Sequence, residues 1–111
     1  MRVYSSKSDL SNGRRRLVEL MQELGFGRIE GLAICASEPV LDPPPTIIRE
    51  VKFTAQNGPR DERRLDDFVL KVPVVELFHE FDRLRDGVIA VLTIKHGLPF
   101  HMDVSHKAGA R

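Results

Sequence analysis

A chain of 111 residues with 41% hydrophobic and 30% charged side chains has the length of one domain and an ordinary globular composition, which excludes a wholly disordered polymer and permits one modest core. A net charge of +1 argues against a dedicated nucleic-acid binder, though it permits a local basic patch. A single cysteine, Cys35, rules out an intramolecular disulfide and a cysteine-only zinc site, and points to a reducing, cytoplasmic setting.

The first ten residues, MRVYSSKSDL, contain no apolar h-region, so no signal peptide is expected. No apolar run approaches the roughly 18 residues that cross a bilayer, so no membrane association is expected. Residues 1–8 read as weakly ordered. Leu17, Leu20, Met21 and Leu24 then recur at the spacing of one helical stripe, and Gly25 stands where a C-terminal cap belongs. Strands follow over 27–35 and 38–42, with a turn at Ser37 to Pro39. The run DPPP, Asp42 to Pro45, cannot join a ladder and reads as a stiff polyproline-type spacer.

A third strand is expected over 46–54, then a polar loop over 55–65 containing Asn57-Gly58-Pro59. The second helix carries Val74, Leu77, Phe78 and Phe81 on one stripe. It reaches back as far as Asp66, and because Pro73 is awkward deep inside a helix, either the regular helix starts near Val72 or a kink occurs there. Closing strands are expected over 87–95 and 99–104, around Lys95-His96-Gly97, with a frayed tail after them.

The chain matches itself. The helices align 57 positions apart, Val18 with Val75, Leu20 with Leu77, Glu19 with Glu76 and Glu23 with Glu80. The hairpins align 60 apart, Gly27 with Gly87, Ile29 with Ile89, Leu32 with Leu92 and Pro39 with Pro99. The difference implies a three-residue insertion around Asp82 to Leu84, at the second helix-to-strand joint. The expected fold is α+β: an internally duplicated α-β-β unit in the order α-β-β-β-α-β-β, with one antiparallel sheet and two helices on one face. Residues 1–111 form one domain, with repeat units near 9–54 and 66–105. One helix and one hairpin cannot bury an apolar stripe alone, but two copies about a pseudo-twofold axis can.

The stretch LVELMQELGFGRIEGLAI, followed by EPV and IIREVKF, resembles the YezD-like family of small bacterial proteins, whose members are about one such unit long. The resemblance covers residues 17–53 and, more loosely, 74–103. The sequence departs from that pattern at Ala36-Ser37-Glu38, where an Asp-Gly type turn is usual, and at the DPPP insertion. The resemblance implies no enzyme and no cofactor, and suggests a fused form of a single-unit dimer.

Chemistry-bearing patterns are sparse. His101, Asp103 and Ser105 alternate onto one strand face, with Phe100, Met102 and Val104 toward the core, and read as a polar outer face. No metal-ligand spacing, phosphate loop or nucleophile-base pair is visible, so neither a catalytic residue nor a metal is expected. Glu19/Glu23 and Glu76/Glu80 would gather four carboxylates if the helices lay face to face. Arg14-Arg15-Arg16 stand at the start of the first helix, against its dipole. At the 57-residue offset Lys71 answers Arg14. With Arg60, Arg63 and Arg64 these residues define a candidate anion or nucleic-acid patch. Replacing Arg14–Arg16 with Ala is expected to leave folding intact. The run Val88 to Ile94 is apolar on both faces, which calls for a central strand or a covering subunit and suggests a homodimer. The sequence therefore points to a small non-enzymatic binding or regulatory protein that acts through protein contacts. A nucleic-acid binder is the alternative, and an enzyme with an intersubunit site comes third.

Overall fold

A computed structural model describes Ser6, residues 9–51, Phe53 and residues 71–105. The expected polar loop 55–65, the weakly ordered start and the frayed tail lie outside the described residues, Ser6 excepted. The elements are α1 (Asn12–Leu24), β1 (Gly27–Cys35), β2 (Glu38–Val40), β3 (Thr46–Arg49), α2 (Val72–Leu84), β4 (Gly87–Lys95) and β5 (Leu98–Ser105). This is the expected α+β order. The third strand stops at Arg49 instead of running to residue 54, beyond which Val51 and Phe53 are exposed.

Each helix begins and ends for a local reason. Ser11 caps α1: its backbone is extended, and its hydroxyl accepts the Arg14 N–H at 3.3 Å. Lys71 occupies the same place before α2 and makes no side-chain cap. Pro73 falls in the first turn of α2, where its missing N–H removes no helical bond. Both helices stop at a residue of positive φ, Gly25 (φ 74) and Arg85 (φ 66), whose N–H groups bond to the Met21 and Phe81 carbonyls.

The sheet runs β2-β1-β4-β5, with β3 also paired to β1, and every pairing is antiparallel. The central pairing of β1 with β4 is self-symmetric. Gly27 faces Ile94 and Ile34 faces Gly87; Arg28 faces Thr93 and Ala33 faces Val88; Ile29 faces Leu92 and Leu32 faces Ile89. Each pair maps onto its partner pair by a shift of 60 residues, so a pseudo-twofold axis passes between the two strands. The two hairpin turns dock across that axis: the Ser37 N–H donates to the Arg85 carbonyl at 2.7 Å, and the Gly97 N–H donates to the Gly25 carbonyl at 2.8 Å.

The symmetry corrects the alignment read from sequence. The helices repeat at 60 residues, not 57, for Asn12–Leu24 coincides with Val72–Leu84. The buried pairs are Leu17/Leu77, Val18/Phe78 and Met21/Phe81, and buried Arg14 matches Val74. No insertion exists at Asp82 to Leu84. A three-residue insertion does exist, in the first copy's edge strand. Pro39 and Pro99 face Ile34 and Ile94, 60 apart, whereas Ile47 and Val104 face Ile29 and Ile89, 57 apart. The extra residues fall in Leu41 to Pro45, the proline run. Short β2 and β3 are thus two pieces of one edge, answering the continuous β5.

Both helices pack on one face of the sheet. Leu17, Val18, Met21 and Leu24 of α1 and Val74, Leu77, Phe78 and Phe81 of α2 share one cluster with Ile29, Leu32, Ile34, Ile89, Leu92 and Ile94. Leu20, expected in the stripe, is only partly buried, and Val18 takes its place. The inward residues of β4 are 89, 92 and 94, because a register irregularity lies between Ile89 and Val91. The apolar run Val88 to Ile94 therefore belongs to a central strand, one of the two expected readings.

Candidate functional site

The Arg14-Arg15-Arg16 run does not form one exposed patch. Arg14 is buried at 0% exposure. Its Nη2 donates to Asp82 Oδ1 at 2.8 Å and to the Ser37 carbonyl at 2.7 Å, its Nε lies 3.6 Å from Glu38 Oε2, and its guanidinium stacks 5.1 Å from the Phe78 ring centroid. Its charge is consumed inside the fold, so Arg14 leaves the candidate patch. Its burial and partners argue that its removal costs stability. Arg15 is half-buried and Arg16 exposed, while Lys71 is exposed at the start of α2. Arg60, Arg63 and Arg64 lie outside the described residues.

The helix terminus that looked ready for an external anion is already served by an internal one. Glu38 receives a hydrogen bond from the Ser11 hydroxyl and lies beside Arg14. In the second copy the corresponding residues are Lys71, Val74 and Leu98, so that cluster is absent there. Across the axis, Asp82 is answered by Gln22, which is 3% exposed and whose Oε1 makes no hydrogen bond.

The four helical carboxylates are not counterparts across the pseudo-twofold axis. At the true offset Glu19 corresponds to His79 and Glu23 to Arg83. His101 Nε2 and Asp103 Oδ1 approach to 3.2 Å on the outer face, both well exposed. Phe100, expected in the core, is 65% exposed, with Lys95 Nζ 4.0 Å from its ring centroid. Cys35 is exposed at the end of β1. Among the described residues no group of three or more His, Cys, Asp or Glu is placed to hold a metal ion.

Three surface features remain. The first is the sheet face opposite the helices, on which β1, β4 and β5 align in rows: Arg28-Thr93-His101, Glu30-Val91-Asp103 and Ala33-Val88-Ser105. Val88 is 42% exposed there. The second is a groove of about 310 Å3 between α2 and β5, floored by Leu77, Leu92 and Met102, with Glu76 and Glu80 along its helical wall. The third is a cleft of about 520 Å3 at one end of the sheet, lined by Arg28, Arg49 and Lys95 with Glu50 among them. Sequence reading missed this last cluster because its cations are scattered along the chain and meet only through strand register.

The architecture is that of a two-layer α+β pseudo-dimer in which, among the described residues, one sheet face carries no helix. No protein family, no curated protein and no solved structure matches the chain. Among the described residues no helix is long and apolar enough to cross a membrane.

Proposed function

We propose that this chain is a non-enzymatic binding protein acting through protein–protein contacts, and that its first partner is a second copy of itself. The observation that carries this reading is the one-sided sheet. Both helices share a single face, while the other presents Val88, Val91 and Ala33 amid complementary charges, Arg28, Glu30, His101 and Asp103. Two such faces packed about 10 Å apart would remove these valines from water and bring opposite charges together at the rim. Sedimentation equilibrium tests it. Wild type is expected to be a dimer, and Val88→Glu with Val91→Glu a monomer with unchanged circular dichroism. A wild-type monomer at about 100 μM, far above the Kd of a functional dimer, rejects self-association.

A second reading, nucleic-acid binding, is favoured by the cleft of Arg28, Arg49 and Lys95, where three cations face one carboxylate. At the pseudo-symmetric positions of Arg28 and Lys95 stand Val88 and Cys35, so the fold itself does not demand this charge. Fluorescence anisotropy with a labelled oligonucleotide tests it. Affinity should fall steeply as salt rises, and Arg49→Ala should reduce the salt slope by about one.

A further inference from the structure

The two edges of the sheet differ in a way that the duplication alone does not explain. One edge is split into β2 and β3 by Leu41 to Pro45, and its prolines lack the N–H that a further strand needs. The other edge, β5, runs over eight residues and is terminal in the sheet, with one proline, Pro99, near its start and a bulge at Phe100, where the register against β4 shifts. From Phe100 to Ser105 every residue carries an N–H. Among the described residues no strand pairs with the outer side of β5, and along this edge runs the groove of about 310 Å3 against α2. An available strand edge beside an apolar groove walled by a helix is the arrangement that accepts an extended peptide as an added strand, with alternate side chains entering the groove.

The charges select the occupant. Glu76 is exposed and Glu80 half-exposed, one helical turn apart on the wall. Among the described residues Glu80 pairs with Arg83 at 3.2 Å, a solvent-exposed pair that is readily exchanged. A second copy of this chain is disfavoured. Twofold pairing of β5 with β5 would set both α2 helices on the same face and bring Glu76 and Glu80 toward their own counterparts. We propose that β5 and α2 capture an extended segment of a partner protein, one with an apolar residue flanked two positions away on each side by Lys or Arg. The two cations stand four strand residues, about 13 Å, apart on one face, against about 6 Å between Glu76 and Glu80, so their long flexible stems converge on the two carboxylates while the apolar side chain between them settles over Met102 and Leu77. Phe100, exposed at the mouth, closes over the anchor.

The test uses the full chain and two labelled heptapeptides, TKTLTKT and its charge-reversed counterpart TETLTET. The first is expected to bind, more weakly at high salt, with amide shifts and slowed hydrogen exchange confined to β5 and the facing side of α2. Glu76→Lys with Glu80→Lys, both on the helix surface, should weaken it about tenfold or more and favour the reversed peptide. Equal binding of both peptides, shifts centred elsewhere on the sheet, or no binding of TKTLTKT at about 1 mM would each overturn the proposal. A loss of self-association without loss of peptide binding would leave it standing, because Val88 and Val91, changed in the self-association test, do not line the groove.

Discussion

The Arg14 guanidinium lies 2.8 Å from the Asp82 carboxylate and joins the first turn of α1 to the last turn of α2. The pair ties the two repeats together at one end of the helical layer, where the same fragment also holds the turn carbonyl of Ser37. Arginine suits this position because its planar fork serves several acceptors while its stem packs among apolar groups. Asp82 retains 30% of its side-chain exposure, so it regains water readily when its partner is removed. Arg14→Ala is expected to cost about 3 kcal/mol, the lower end of the range for breaking a buried pair. Arg14→Met should cost less, since it restores the volume beside Phe78 without the charge. Urea unfolding of both variants checks this. A loss below about 0.5 kcal/mol for Arg14→Ala, the range of ordinary surface changes, would remove the pair from the fold's support.

The hairpin turns give an independent test. Ala36 and Ser37 have φ values of 51 and 67, matching His96 and Gly97 at 55 and 72. Two consecutive positive values define the type I′ turn that suits a two-residue hairpin, a geometry that Asn-Gly adopts far more easily than Ala-Ser. The bonds from Ala36 N–H to Asp86 and from Ser37 N–H to Arg85 use the backbone and survive substitution. Ala36→Asn with Ser37→Gly is therefore expected to raise stability by about 1 kcal/mol. Gly97→Val should lower it by a similar or larger amount. Thermal melts of the two variants should move in opposite directions.

Gly27 and Gly87 occupy equivalent positions but face different neighbours. A Cβ on Gly27, at φ 153, would stand 2.1 Å from the Ile48 carbonyl oxygen, which belongs to the paired backbone of β3. A Cβ on Gly87 would meet only the flexible end of Leu84, at 3.0 Å. Gly27→Ala is expected to detach β3 and cost about 2–3 kcal/mol, at the upper end of overpacking effects. Gly87→Ala should cost less than half as much. Hydrogen exchange separates the cases: the amides linking β3 to β1 should lose protection in Gly27→Ala alone.

The order of elements was legible because each carries a local signature, an apolar stripe, an alternating run, or a Gly or Pro at its end. The register of the repeat was not. Val18/Val75 and Leu20/Leu77 look alike at 57 residues, and the true match of buried Arg14 with Val74 has no chemical similarity to reveal it. The insertion was misplaced for the same reason; its location follows from strand pairing, since β2 and β3 share an edge only in three dimensions. The candidate surfaces divide similarly. Glu76 and Glu80 were visible as helical carboxylates, but their wall exists only beside β5. The cleft of Arg28, Arg49 and Lys95 required the register of β3, β1 and β4.

That corrected register makes a prediction about the core. Leu17 and Leu77 are structural equivalents at 0% and 5% exposure, whereas Leu20 is only partly buried and matches Glu80. A charge at either buried leucine must be desolvated or neutralised, and no partner of opposite sign is supplied by the apolar cluster. Leu17→Asp and Leu77→Asp should therefore both abolish cooperative folding. Leu20→Asp should be survivable, since the counterpart position already holds a carboxylate with access to water. Circular dichroism and chemical denaturation of the three variants decide between the alignments. If the helices matched at 57 residues, Leu20 and Leu77 would behave alike. At 60 they part company, and Leu17 sides with Leu77.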